Sequence, residues 1–185
     1  MSKLLDCLGV QYKLFSTPKD GNCFYHATSH QLGGMMSHIE LRQIVSAGLN
    51  ADDLYLYNTI HQKNYTIKTL KRLVAKPNYI WADEIEINVL TRLFPKIAFL
   101  IFDDEYNVVN KIQHSKKPNK FICLHRKHEH YQSTYIHPRD ISYILKNMNS
   151  KASLSCEANS SISSIFWLTI IFPSIVLVNF INGSL

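Results

Sequence analysis

The chain has 185 residues, of which 46% are hydrophobic and 18% are charged, and its formal net charge is +6. This length accommodates one domain with a packed core plus a tail, and the composition excludes a disordered or collagen-like chain. The positive charge is spread along the sequence and does not indicate a nucleic-acid partner, so we expect none.

The cysteines indicate a reducing environment. Cys7, Cys23, Cys123 and Cys156 are widely scattered and form no C-x-x-C pair. Residues 1–10 lack the long apolar stretch of a secretory signal. We therefore predict free thiols and a cytoplasmic protein.

Start and stop signals predict four helices in the first half of the chain. Gly33-Gly34 is a natural stop for the first helix, Ser37 and Glu40 form a capping-box pattern before the second, and Pro95 follows the fourth. The predicted helices are residues 23–32, a helix from Ser37 that ends at Asn50, residues 66–74, and residues 83–94.

Strand patterns follow the helices. Residues 97–102 form a continuous apolar run that ends at Asp103-Asp104, as in a strand buried on both faces. Residues 107–112, 121–126 and 131–137 are further predicted strands. The sequence therefore predicts an α+β (mixed α/β) domain over residues 1–148, with helices packed on a small central sheet.

The C-terminal part has a different composition. Residues 149–164 are rich in serine, as in a linker. Residues 165–181 carry no charge and approach the length needed to cross a bilayer as a helix, which makes them a candidate transmembrane anchor with the domain on the cytosolic side. Pro173 and Asn179 weaken the case for a membrane span, and the alternative is an apolar strand pair that packs back onto the domain.

One cysteine has surroundings typical of a nucleophile. Cys23 follows Asp20-Gly21-Asn22, a turn sequence, and begins a predicted helix. A helix N-terminus and a nearby imidazole both lower the pKa of a thiol and so favour the reactive thiolate. His130, beside an aromatic residue in a predicted strand, is the candidate base.

Three segments resemble the ovarian-tumour (OTU) family of cysteine proteases. Asp20-Gly21-Asn22-Cys23, followed by an aromatic residue and then Ala27, resembles the nucleophile loop of that family. Residues 81–86, Trp-Ala-Asp-Glu-Ile-Glu, resemble its Trp-Gly-Asp-x-x-Glu segment, and His130-Tyr131 resembles its C-terminal histidine followed by an aromatic residue. The segments occur in the family's order.

The resemblance implies a papain-like thiol protease that cleaves after the C-terminal glycine of ubiquitin, polyubiquitin chains or a related modifier, with no cofactor or metal. Cys23 would be the nucleophile and His130 the acid and base. Asp20 would shape the loop, and backbone amides around Gly21 and Asn22 would meet the oxyanion. Trp81 is either a core residue or a neighbour of the catalytic histidine.

One position departs from the family pattern. The family commonly has Asp or Asn two residues after the histidine to orient the imidazole, and here that residue is Gln132. Gln132 can accept the imidazole N–H, although its longer side chain loses more entropy when fixed. Asp20 and Asp6 are the alternatives for this role.

Two other functions compete with a deubiquitinase. An OTU-fold protein that binds ubiquitin without cleaving it would follow if Gln132 disables catalysis. A zinc- or nucleic-acid-binding protein is the other, because Cys123, His125, His128 and His130 are close in sequence. These residues occupy both odd and even positions, so one regular strand cannot direct all four at one ion, and we expect no metal.

Overall fold

The computed structural model describes residues 2–7 and 10–157, with side chains for residues 10–147. One compact unit spans residues 1–141, and a second begins at Ser142. The strands are β1 (Ser2–Cys7), β2 (Val10–Phe15), β3 (Ile97–Phe102), β4 (Val108–Gln113), β5 (Lys120–Lys127) and β6 (His130–Ile136). The helices are α1 (Cys23–Gln31), α2 (His38–Gly48), α3 (Ala51–His61), α4 (Ile67–Ala75), α5 (Glu84–Leu93) and α6 (Pro138–Glu157).

The strands form one sheet in the order β1-β2-β6-β5-β3-β4. Among these six described strands, β3 and β5 pair in parallel and the other neighbours are antiparallel. Residues 98–102 of β3 are buried, as expected for an apolar strand in the interior of a sheet. The predicted α+β class, with helices packed on a small sheet, is confirmed.

Local capping explains why the predicted helices begin where they do. The Ser37 hydroxyl accepts the amide of Glu40 and the Glu40 carboxylate accepts the amide of Ser37, so the predicted capping box of α2 is present. Asp83 and Glu86 form the same motif at the start of α5. Gly33 has a φ of 70° in the turn after α1, a left-handed conformation that favours glycine.

Several elements differ from the sequence prediction. Asn50 ends α2 as expected but also caps a helix that was not predicted, α3, by accepting the amide of Asp53. Strands β1 and β2 precede the helices and were also missed. In β2, alternate residues Val10, Tyr12 and Leu14 are buried, which is the period of a strand with one face in the core.

The predicted C-terminal organisation lies largely outside the described residues. Helix α6 runs through Glu157 and so covers the first part of the segment predicted to be a linker. Residues 165–181, the candidate anchor, are not among the described residues. Within residues 2–7 and 10–157, no helix is long and apolar enough to cross a bilayer.

Candidate active site

A tight hairpin presents the candidate catalytic histidine. His130 begins β6 and is paired with Lys127 of β5, so only His128 and Glu129 connect the two strands. His128 has a φ of 53°, a conformation uncommon for residues other than glycine. The short connection fixes the register of β6 and therefore the face on which His130 lies.

The alternation of β6 separates the core residue from the site residues. Tyr131 is buried, and its ring packs edge-on against Phe24 of α1 with 5.6 Å between centroids. Its neighbours His130 and Gln132 lie on the opposite face of the strand, as the period of two requires, and line a pocket. Tyr131 thus anchors the strand while the residues on either side of it face the pocket.

The structure brings Cys23 and His130 together. Cys23 is the first residue of α1, and its Sγ accepts the amide N–H of Tyr131 at 3.4 Å. The same sulfur lies 3.9 Å from the carbonyl oxygen of Glu129. The sulfur is therefore placed against the backbone on both sides of His130, although Glu129 lies 106 positions after Cys23 in the chain.

The loop before Cys23 is held by its own polar side chains. Asp20 Oδ1 accepts the amide of Asn22 at 2.9 Å, and Asp20 Oδ2 lies 3.2 Å from His26 Nε2. Burial acts to raise the pKa of the Asp20 carboxyl, but the Asn22 amide and His26 outweigh it and hold that pKa below its ordinary value. The Asn22 side chain donates to Asn78 Oδ1 at 2.8 Å, which ties this loop to the segment before α5.

Trp81 lies at the pocket and is not a core residue. Its side chain is 55% exposed, and its indole Nε1 lies 3.0 Å from the position that a Cβ on Gly21 would occupy. Gly21 also has a φ of 75°. Both the contact with Trp81 and the backbone conformation therefore require glycine at this position.

The pocket around Cys23 has a volume of about 600 Å³. It joins the nucleophile loop, the segment that carries Trp81 and the β5–β6 hairpin. Its lining residues are Lys19, Gly21, Cys23, Trp81, Lys127, His128, Glu129, His130 and Gln132.

The electrostatics of the site favour a neutral pair before substrate binds. Burial raises the pKa of the Cys23 thiol, although the amides of Tyr131 and Phe24 act in the opposite direction. Burial and the positive charge of Lys19 both lower the pKa of His130. Desolvation of the sulfur therefore opposes the thiolate that the helix start and an imidazolium are expected to favour.

The contact to the His130 ring comes from a residue that the sequence did not point to. Thr17 Oγ1 lies 3.4 Å from His130 Nε2, and the same hydroxyl donates to the carbonyl oxygen of Tyr131 at 2.5 Å. Among the hydrogen bonds of residues 10–147, none joins Gln132 or Asp20 to the His130 ring. The Asp6 side chain lies outside residues 10–147, for which side chains are described. Thr17 belongs to no recognisable motif, and it lies 113 positions before His130 in the chain.

The cluster of Cys123, His125, His128 and His130 does not converge. Cys123 is buried in β5, with burial raising the pKa of its thiol to about 12. His125 is paired instead with Asp104, at 3.4 Å. Across the part of the chain that the structure describes, no group of three or more His, Cys, Asp or Glu side chains could hold a metal ion.

Comparison with known proteins identifies a family. The model of the OTU-like cysteine protease family matches residues 18–137, which span Cys23, Trp81 and His130. No curated protein sequence matches the chain.

Solved structures share the fold at low sequence identity. An OTU domain solved in complex with ubiquitin has a TM-score of 0.58 at 19% identity, over 72% of this chain and 77% of that one. An OTU deubiquitinase of Wolbachia pipientis wMel has a TM-score of 0.52 at 12% identity, over 71% and 95%. The OTU domain protease of Dera Ghazi Khan virus has a TM-score of 0.51 at 17% identity, over 74% and 96%.

The matched region contains the thiol, the imidazole and the pocket between them, and its fold is that of these solved OTU domains. The chain belongs to the OTU-like cysteine protease family.

Proposed function

We propose that this protein is a deubiquitinase that hydrolyses the isopeptide or peptide bond after the C-terminal glycine of ubiquitin or a ubiquitin-like modifier. The observation that carries the proposal is the position of the Cys23 sulfur, held against the backbone of Glu129 and Tyr131 on either side of His130, at an open pocket. Family membership supports the chemistry, and the related OTU domain in complex with ubiquitin supports the substrate class.

In the proposed reaction, the neutral imidazole of His130 accepts the proton of the Cys23 thiol as the sulfur attacks the glycine carbonyl carbon. The resulting imidazolium then donates that proton to the departing lysine nitrogen, and the carbon–nitrogen bond breaks. Water, deprotonated by His130, hydrolyses the thioester and restores the thiol. The lowered pKa of His130 suits this role, because the ring is then unprotonated near neutral pH.

Thr17 is our candidate for the residue that orients His130. A hydroxyl has one proton, and that of Thr17 is donated to the Tyr131 carbonyl, so Oγ1 can only accept from the imidazole. His130 Nε2 must then carry the ring proton, which leaves Nδ1 as the base for the thiol. In this assignment Gln132 lines the pocket without positioning the ring.

The oxyanion is assigned to backbone amides of the nucleophile loop. The amide of Asn22 is bonded to Asp20, so the amides of Gly21 and Cys23 are the ones we assign to the developing charge. The Asn22 carbonyl accepts the amide of His26 at 2.9 Å. Because the two ends of a trans peptide point in opposite directions, the Cys23 N–H is directed out of α1.

The first test asks whether Cys23 reacts with a ubiquitin tail. Incubating the full-length chain with ubiquitin that carries a C-terminal electrophile should give one adduct by intact-mass analysis. Cys23→Ala should give none, and Cys123→Ala, which changes a buried thiol outside the pocket, should react like the wild type. A folded wild-type chain that forms no adduct would favour a ubiquitin-binding pseudoenzyme or a different modifier.

The second test separates Thr17 from Gln132. Thr17→Val removes the hydroxyl while keeping the shape of the side chain, and we expect kcat to fall about tenfold or more because the imidazole loses its fixed tautomer. Thr17→Ser should retain most of the activity, and Gln132→Ala should change kcat little. Steady-state hydrolysis of a ubiquitin substrate measures all three, and a loss confined to Gln132→Ala would refute the assignment.

The third test uses the pH profile. Lys19 lowers the pKa of His130, so Lys19→Met should raise that pKa and move the acid limb of kcat/KM to higher pH. High salt should move the wild-type limb in the same direction by a smaller amount, because it screens the exposed Lys19 and also Asp20, whose weaker effect raises the pKa of His130.

Lys127→Met is the matched control, since Lys127 also lines the pocket but pairs with Asp104. Its acid limb should stay in place. An acid limb that does not move in Lys19→Met, or moves equally in both variants, would contradict the role given to Lys19.

We also propose that the enzyme acts in the cytoplasm and that residues 165–181, which carry no charge, tether it to a membrane. In fractionated cells, the full chain should sediment with membranes and resist carbonate extraction, and a chain without these residues should move to the supernatant. Equal distribution of the two chains would exclude the tether.

A further inference from the structure

We propose that Arg42, a residue outside the pocket, is a positioning residue for the reaction: it fixes the orientation of the Gly21–Asn22 peptide behind the nucleophile. This inference rests on the proposed function of Cys23. It concerns a side chain that none of the three family-like segments contains.

Arg42 has unusual surroundings for a charged residue. It lies in α2, it is only 1% exposed, and no carboxylate within residues 10–147 forms an ion pair with it. Its guanidinium lies over the ring of Tyr25, with 4.5 Å to the ring centroid. Burying a cation without a counter-ion is costly, so its backbone contacts must compensate for the desolvation.

Those contacts are all to carbonyl oxygens, and they join two segments that border the pocket. Nη1 donates to Val74 at 2.9 Å, Lys76 at 3.2 Å and Ile80 at 3.0 Å. Nη2 donates to Ile80 at 3.1 Å and to Gly21 at 3.0 Å. One planar group therefore links the residue before Trp81 to the loop before Cys23.

The contact with Gly21 fixes a whole peptide unit. The Gly21 carbonyl and the Asn22 N–H belong to the same planar peptide. The carbonyl accepts a hydrogen bond from Arg42, and the N–H donates one to Asp20 Oδ1. The carbonyl is thereby directed into the interior, away from the pocket.

Glycine makes this restraint necessary. Gly21 has no Cβ, so rotation of the following peptide meets little steric resistance. Without Arg42, the Gly21 carbonyl would be buried without a donor, and it would gain a hydrogen bond by turning toward water in the pocket. Turning this peptide would also break the bond from the Asn22 N–H to Asp20 and shift the adjoining amides of Gly21 and Cys23, which we assign to the oxyanion.

The test compares two reactions of the same sulfur in the full-length chain. Hydrolysis of a ubiquitin amide forms an oxyanion, whereas alkylation of Cys23 by iodoacetamide does not. Arg42→Lys keeps the charge and part of the donor set, so we expect it to fold. We expect its kcat to fall about tenfold, with KM within about twofold of wild type and an unchanged rate of Cys23 alkylation.

Arg92→Met is the matched control. Arg92 also donates to a backbone carbonyl, that of Gly48 at 2.9 Å, and pairs with Asp53, but it does not line the pocket. It should lower the melting temperature and leave kcat of the folded protein unchanged. Arg42→Met should lose more kcat than Arg42→Lys; if it does not fold, Arg42→Lys decides the question.

The outcomes separate the inference from the proposed function. If the wild type hydrolyses the substrate and Arg42→Lys has the same kcat, the role of Arg42 is overturned and the proposed function stands. A parallel fall in kcat and in alkylation would also overturn it, because it would mean general disorder of the site. A wild-type chain that does not hydrolyse the ubiquitin substrate would overturn the proposed function, and the inference with it.

Discussion

The active site depends on the packing of α1 against β6. Phe24 and Tyr131 meet edge-on in the core, and Cys23 and His130 are the residues immediately before them. A contact between two buried rings thus sets the separation of two groups on the surface of the pocket. The amide of Tyr131, which donates to the Cys23 sulfur, adds a polar restraint to the apolar one. Any change that moves α1 relative to β6 also moves the thiol relative to the imidazole.

A second requirement is that the nucleophile loop stays in one conformation. The loop contains glycine at a φ of 75°, so its backbone does not hold itself in place. Asp20 restrains it from within, Asn78 holds the Asn22 side chain, and Arg42 holds the Gly21 carbonyl. The loop is therefore held both by hydrogen bonds within it and by hydrogen bonds to distant residues. The Asp-Gly-Asn-Cys motif alone accounts for only part of the loop conformation.

The features that the sequence predicted are those with a local cause. The capping residues of α2 and α5 and the apolar run of β3 can be identified from a few adjacent positions. Helix α3 was missed because it has no continuous apolar stripe, with only Asp53 and Tyr57 fully buried. Strand β2 does have a local signal, an alternation of buried and exposed residues, but over only six residues.

The site residues that the sequence predicted also have a local signal. Asp20, Cys23, Trp81 and His130 belong to short motifs, and the structure places all four around one pocket or its loop. Thr17 and Arg42 have no local signature, since each acts through a contact that exists only in the folded chain. The expectation for Gln132 came from the usual family spacing. In this chain the imidazole instead contacts the hydroxyl of Thr17, which precedes Cys23 in the sequence.

The β5–β6 hairpin limits how chains with this architecture can change in length. With two residues between paired Lys127 and His130, one inserted residue would turn His130 toward the core and Tyr131 toward the pocket. The segment between β4 and β5, residues 114–119, has no such restriction, because it joins strands that both pair with β3 rather than with each other. Among proteins with this architecture, we expect insertions to accumulate in the segment between β4 and β5 and to be selected against in the hairpin that carries the histidine.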